Sequence, residues 1–257
     1  MGVNIHILAD ERYRVIRDLL ALHGQVLATD LVARFGVSED TVRRDLRELA
    51  REGACKRVYG GAVLPAPDRG PLRVRAALAP ETKARLAAAA AGLVLDGQFV
   101  FIDAGSTNIA IARALPRGRK VSVATNAIGV AAVLADNPDI RLIVIGGSFD
   151  AAVGACLGGE AVRAIDRLSA DIVFLGACAF DANAGVTAFD GDDAEAKQAM
   201  LRNSAAAVVA ATADKLGTAA PYRVAPAAAI THLVTEVAAP RSLVCAIAAG
   251  GTQISQI

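Results

Sequence analysis

Arg43, Arg44, Arg47 and Arg51 fall within one charge-dense stretch, and their spacing is that of a single helical face. With Val42 set at zero and about 100° per residue, Leu46, Leu49 and Ala50 lie within about 80° of it, while the four arginines lie between about 100° and 200°. One side of such a helix is buried and the other presents guanidinium groups. Those groups can donate bidentately to guanine or clamp backbone phosphate. Asp45, Glu48 and Glu52 sit to the side of that face. From Arg43 to Arg57, six bases meet three acids, a local net charge of +3. The plainer alternative is a solvated helix whose arginines pair with Asp40, Glu48 and their neighbours.

A second chemistry begins at Asp103-Ala104-Gly105-Ser106-Thr107-Asn108, after the apolar run Phe99-Val100-Phe101-Ile102 and before a helical run with Ile111 and Leu115. A strand, a loop with glycine and hydroxyls, and a helix start offer backbone N–H groups and a positive dipole end to an anion such as phosphate. Gly105 lets the backbone approach closely, and Ser106 and Thr107 donate hydroxyls. Asp103 suits a sugar hydroxyl or nearby backbone N–H groups, because two anions repel. Other apolar runs end at Thr125-Asn126, at Gly146-Gly147 and at Gly176. Ligands of open parallel sheets bind beyond the carboxyl ends of the strands, so these ends are expected to meet the Asp103 loop in one crevice. Asp214-Lys215, after another strand, reads as structural or peripheral.

The elements that must position these groups divide the chain. Residues 10–22 form a helical stripe with Ile16, Leu19 and Leu20, closed by His23-Gly24. Thr29 is the expected cap of a second helix carrying Leu31, Val32 and Phe35 and stopping at Gly36. Ser38 caps the arginine helix, expected from Glu39 to about Glu52. Cys55 to Tyr59, a Gly60-Gly61 tip and Ala62 to Leu64 read as two short strands, and Lys56 and Arg57 would reach flanking DNA backbone as a wing. Four prolines and a glycine between residues 64 and 80 mark a linker or hinge. The expected division is therefore 1–63 for DNA binding, 64–80 as linker and 81–257 as an α/β domain of alternating strands and helices. Residues 243–257 are expected in the core.

Composition narrows the classes. The 257 residues carry a net charge of only +1, so the chain is not a general polybasic binder. Hydrophobic residues are 54% and aromatics 4%, which predicts an Ala, Val, Leu and Ile core. Mean hydropathy is +0.42, yet the longest strongly apolar run, 86–95, falls well short of the roughly 20 residues of a membrane span. His6, Asp10, Glu11 and Arg12 break up the N-terminus, which does not read as a secretory leader. Cys55, Cys156, Cys178 and Cys245 form no C-x-x-C pair, and His6, His23 and His232 are scattered. Reduced thiols, no metal, no cofactor and a cytoplasmic location are expected.

The run Val37-Ser38-Glu39-Asp40-Thr41-Val42-Arg43-Arg44-Asp45-Leu46, followed by Arg57-Val58-Tyr59-Gly60-Gly61-Ala62, resembles the two motifs of DeoR-type bacterial transcription regulators. Tyr59 stands where the family usually has histidine. The resemblance implies a winged helix-turn-helix followed by a doubly wound, mostly parallel α/β sensor domain, similar in fold to ribose-5-phosphate isomerase and the CoA transferases. It implies operator DNA as partner, contacted by Ser38, Thr41, Arg43, Arg44, Arg47, Lys56 and Arg57. Most members of the family are repressors, and the effector is a phosphorylated sugar or related metabolite. The matching effector set is Asp103, Gly105, Ser106, Thr107, Thr125, Asn126, Gly146, Gly147 and Lys197, the lysine facing the phosphate. Short half-sites also imply a homo-oligomer, held through residues 81–257. The rival reading is a sugar-phosphate isomerase carrying a DNA-binding domain. The resembled enzymes have an acidic D-G-A-D-type segment where this chain reads Leu175-Gly176-Ala177-Cys178-Ala179-Phe180-Asp181, so no catalytic residue is expected. A third class, a DNA-binding architectural protein without ligand, leaves the phosphate-type loop without a role.

Overall fold

The computed structural model of the protein describes residues 8–257; His6 and the other residues before Leu8 lie outside the described residues. The N-terminal part opens with α1 (Ala9–His23), which buries Ile16 and Leu20. β1 (Gln25–Leu27) leads into α2 (Ala28–Phe35), and Ser38 caps α3 (Glu39–Arg51) by accepting the Thr41 N–H at 3.2 Å. β2 (Lys56–Val58) and β3 (Gly61–Pro65) form the hairpin. Ile16, Leu20, Leu31, Val42, Leu46 and Leu49 close a small core of their own. Two local expectations differ. Residues 25–27 are a third strand, paired antiparallel with Gly61–Val63. The second helix consequently starts at Ala28, and Thr29 lies inside its first turn without capping it. Gly61 is required at that pairing, since a Cβ there would stand 2.0 Å from the Val26 carbonyl oxygen.

The larger part runs α4 (Leu72–Ala77), α5 (Pro80–Ala91), β4 (Phe99–Ile102), α6 (Ser106–Ala114), β5 (Val121–Thr125), α7 (Ile128–Leu134) and β6 (Ile140–Val144). A hairpin of β7 (Ser148–Asp150) and β8 (Ala155–Leu157) follows, then α8 (Gly159–Ile165) and β9 (Ala170–Phe174). After these come β10 (Ala179–Asp181), β11 (Gly185–Ala188), α9 (Gly191–Arg202), β12 (Ser204–Ala210), β13 (Thr218–Ala219), β14 (Tyr222–Ala225), β15 (His232–Thr235), α10 (Arg241–Ala248) and β16 (Gln253–Gln256). Seven strands form one parallel sheet in the order β16-β15-β12-β9-β4-β5-β6. The chain enters at β4 near the middle, winds outward to β6, then returns to the far side of β4 at β9 and winds outward to β16. This is the doubly wound α/β topology, and its reversal of direction lies between β4 and β9. The central strands are apolar almost throughout because helices cover both faces. Phe101, Ile102, Phe174, Leu86, Ile111 and Ile165 are among the fully buried side chains. In the C-terminal stretch, Leu243, Val244 and Ile247 are core as expected, while β16 is an edge strand with mostly exposed residues. Among the described residues no helix is long and apolar enough to cross a membrane.

The segment 64–80 is built into this fold and is not a free tether. β3 runs on into a parallel pairing with β13, Leu64 opposite Thr218 and Pro65 opposite Ala219. The Ala66 N–H then donates to the Ala219 carbonyl at 2.9 Å and the Leu72 N–H to that of Ala152 at 2.8 Å. The prolines that signal a linker sit where their missing N–H is harmless: Pro65 ends a strand, Pro71 precedes α4 and Pro80 begins α5.

Candidate functional site

On α3, the buried stripe holds Val42, Leu46 and Leu49, as the helical spacing requires. Arg43, Arg44 and Arg47 lie on the exposed side. Arg44 and Arg47 make no side-chain hydrogen bond or ion pair among the described residues, and neither do Lys56 and Arg57 on the wing. Arg43 bonds Glu39 at 2.6 Å, one turn back and largely in water. Such exposed pairs are worth a few tenths of a kcal/mol and exchange readily for another anion. Three nearby acids are held elsewhere. Asp45 is 2% exposed and takes a bidentate grip from Arg12 of α1, at 2.6 and 3.0 Å. Glu52 pairs with Arg17 at 2.5 Å, and Glu48 pairs with Arg51. Arg51 is thereby tied, while Arg44 and Arg47 face solvent. Ser38 and Thr41 share a hydroxyl contact of 2.9 Å at the start of the helix, and Tyr59 at the wing tip is 95% exposed.

The second region is a cavity of about 340 Å³ at the topological reversal. Its walls include Gly105, Ser106, Thr107 and Asn108 after β4, and Gly176 and Cys178 after β9. Gly105 precedes α6 with a φ of 146°, a conformation that favours glycine, and its carbonyl accepts the Ile109 N–H. Asn108 donates to the Asp103 and Phe174 carbonyls at 2.9 and 3.0 Å, pinning the ends of β4 and β9 together. Ser106 and Thr107 thus lie at the helix start, against the cavity. The Thr107 hydroxyl is buried and has no hydrogen-bond partner among the described residues.

Several expected residues do not meet here. Thr125 and Asn126 are fully buried: Thr125 donates to the Ile102 carbonyl at 2.6 Å, and Asn126 donates to the Cys156 carbonyl at 3.1 Å. Gly146 and Gly147 lie at the end of β6, off the cavity, and a Cβ on Gly147 would stand 2.7 Å from the Leu157 carbonyl oxygen. The physical reason is strand order. Only β4 and β9 flank the reversal, and the β7–β8 hairpin occupies the ends of β5 and β6. Asp103 sits behind the cavity wall with no exposed surface. It accepts the Gly176 N–H at 2.8 Å, the backbone option foreseen for it, and also Lys197 at 2.9 Å.

Lys197 lines the same cavity but is already paired. It is 2% exposed and lies between Asp103 and Asp193, bonded to both. Burial lowers its affinity for a proton, but the two carboxylates more than reverse this and push its pKa up. Burial pushes the Asp103 carboxyl up, with Asp193 adding to the shift and Lys197 opposing it. A lysine already compensated twice is a structural clamp between β4 and α9, not a free cation facing phosphate. Besides Lys197, the cations that line the cavity are Arg69, Arg75 and Lys215. Lys215, expected to be structural or peripheral, stands just past the carboxyl end of β12 and lines the cavity. Arg69 and Arg75 carry no local signal, because only the β3–β13 pairing brings their segment over the cavity.

The comparisons agree with both regions. Residues 12–68 match the DeoR-like helix-turn-helix domain and residues 78–237 the DeoR C terminal sensor domain. The chain is 30% identical over 234 residues to the glycerol-3-phosphate regulon repressor of Escherichia coli (strain K12), covering 91% of this chain and 93% of that protein. It is 28% identical over 229 residues to the HTH-type transcriptional repressor GlcR of Bacillus subtilis (strain 168), covering 88% of each. Among solved structures it is similar to ribose 5-phosphate isomerase A from Methanocaldococcus jannaschii, with a TM-score of 0.39 and 19% identity over 53% of this chain and 54% of that one. The curated relatives are named as transcription regulators, not enzymes. An exposed arginine face on a helix-turn-helix, joined to a doubly wound α/β domain and matched over nearly its whole length, places the chain in the DeoR family of DNA-binding transcription regulators.

Proposed function

We propose that the protein is a repressor that binds operator DNA through α3 and the wing, and that a phosphorylated sugar or related metabolite in the cavity modulates that binding. Arg43, Arg44 and Arg47 read bases or clamp phosphate, Ser38 and Thr41 contact the backbone at the helix start, and Lys56 and Arg57 hold the flanking strand. Gly105, Ser106 and Thr107 receive an anionic group at the α6 N-terminus. Residues 1–63 are the DNA-binding domain, 81–257 the sensor, and 64–80 the segment that joins them. The protein acts in the cytoplasm as a homo-oligomer, since one such domain reads only a short half-site.

The observation that carries this reading is the cavity itself. Its walls combine the α6 helix start with Pro67, Arg69 and Arg75, residues on the segment that continues from the wing strand β3. A ligand there touches the sensor and the segment that joins it to the DNA-binding domain, a route by which it can bind two states differently. The test is a thermal-shift screen of phosphorylated sugars on the full chain, followed by fluorescence anisotropy with DNA selected for binding. A stabilising metabolite is expected to change DNA affinity by about 1–3 kcal/mol. Turnover of aldose phosphates with no DNA binding would overturn the reading.

A further inference from the structure

Cys178 is a nucleophile on the cavity wall that the effector reading does not use. All four cysteines are free, but their surroundings differ. Cys55 is buried in the small domain, where its Sγ donates to the Leu46 carbonyl at 3.7 Å and burial pushes its thiol up. Cys156 is buried in β8. Cys245 is exposed on α10. Cys178 alone is half-buried and lines the cavity, in the loop between β9 and β10. It stands in the segment where the resembled isomerases are acidic.

Two observations bear on what this thiol meets. Lys215 donates to the carbonyl of Ala177, the residue before it, at 2.7 Å, so an amine stands beside the loop that carries the sulfur. Burial lowers the Lys215 pKa to about 8, and Cys178 heads the groups that oppose the shift. Half-open thiols beside cationic groups are the reactive ones, whereas enclosed thiols are inert. The Thr107 hydroxyl, on a residue 5% exposed, lines the same cavity and has no hydrogen-bond partner among the described residues. A buried polar atom left open on a cavity wall marks space for a polar occupant.

Cys178 also packs against Ala66, Ala179 and Ala220. Ala66 lies on the segment leaving the wing strand β3, and its N–H is bonded to the Ala219 carbonyl at the end of β13. The thiol thus touches the junction that holds the wing strand to the sensor. An oxygen added to this sulfur brings a polar group against a small cluster of alanines, whose side chains offer it no partner.

We propose that Cys178 is an oxidation-sensitive thiol through which a peroxide alters DNA binding. The sulfur attacks one peroxide oxygen. An S–O bond forms as the O–O bond breaks, and the leaving hydroxide takes up the thiol proton. Sulfur gives up two electrons to the peroxide, and the products are a sulfenic acid and water. A dithiol reverses the step, returning the thiol and water and itself becoming a disulfide. The proposal rests on the protein being a DNA-binding regulator and holds whichever metabolite fills the cavity.

Hydrogen peroxide is the probe, applied to the full-length protein with dimedone to trap sulfenic acid. Peptide mass spectrometry is expected to show Cys178 labelled about tenfold faster than the more exposed Cys245, with Cys55 and Cys156 unlabelled. Fluorescence anisotropy with the selected DNA should show an affinity change of about fivefold or more after peroxide, reversed by dithiothreitol. Cys178→Ser and Cys178→Ala should bind DNA in reductant and ignore peroxide, while Cys245→Ser should respond as wild type does. Labelling that follows exposure, with Cys245 ahead, overturns the proposal. So does an unchanged DNA affinity in protein sulfenylated at Cys178, and in both cases the effector reading stands. If the reduced protein binds no DNA, both fall.

Discussion

The arginine face of α3 and the lysine at the floor of the cavity hold positive charge in opposite ways. Arg44 and Arg47 stand in water without an ion pair among the described residues, while Asp45, Glu52 and Glu48 are held by Arg12, Arg17 and Arg51. Lys197 is enclosed, with Asp103 and Asp193 bonded to it. The first arrangement leaves charge available to a polyanion arriving from solvent. The second uses charge to bind one element of the fold to another. Residue type does not separate the two roles, since a lysine beside a phosphate-type loop reads as a ligand-binding group. The pairing separates them.

Breaking the buried clamp should have the largest effect. Lys197→Met leaves two buried carboxylates without their cation, and removing one partner of such a set costs about 3–5 kcal/mol. Urea denaturation of the full chain should show this loss. Wild-type stability together with a lost effector response would return Lys197 to the ligand. The next effect is in the small domain. Asp45→Ala removes the carboxylate that Arg12 grips across α1 and α3, and about 3 kcal/mol should be lost. The double change Arg12→Met with Asp45→Leu should recover most of it, because a packed apolar pair replaces the ions. Recovery by neither route would mean that the pair does not join the helices.

The exposed arginines should behave in the reverse sense. Arg44→Ala and Arg47→Ala should leave stability within about 0.5 kcal/mol of wild type. Each should nevertheless lose about 1–3 kcal/mol of discrimination on selected DNA if it reads a base. If it holds a phosphate instead, affinity should fall on all sequences and the salt dependence flatten. Unchanged DNA binding in both variants would remove α3 as the recognition helix. The smallest effect is at the cap. Ser38→Ala should cost about 1 kcal/mol through the lost bond to the Thr41 N–H, and Ser38→Asp should restore it. An unaltered melting curve for Ser38→Ala would mean the cap bond contributes nothing.

Local signals carried much of the fold. Gly24 and Gly36 end α1 and α2, Ser38 caps α3, and apolar runs became β4, β5, β6, β9 and β12 within a residue or two. Each depends on residues within about one turn or one strand of itself. The arginine face was legible for the same reason, since helical spacing alone sorts Val42, Leu46 and Leu49 from Arg43, Arg44 and Arg47. β1 was not legible. Three residues have no period, and their partner Gly61–Val63 lies beyond two helices. One half of the Lys197 clamp was in reach, because Asp193 stands one helical turn before it.

The rest needed the order of strands. From the sequence, the ends of β4, β5, β6 and β9 are equivalent, and each has the small or hydroxyl-bearing residues of a ligand loop. Only the folded sheet makes β4 and β9 neighbours across the reversal, which admits Ser106 and Gly176 to the cavity and leaves Thr125, Asn126, Gly146 and Gly147 to the scaffold. The sequence by itself determined the helices of the small domain, the main sheet strands and which helix faces outward with its arginines, because those follow from near-neighbour geometry. The tertiary structure decided which charges are paired. Asp103 reaches Lys197, and Arg75 comes to Lys215, through strand pairings that join residues far apart in the chain, and a buried charge takes its role from the partner brought to it.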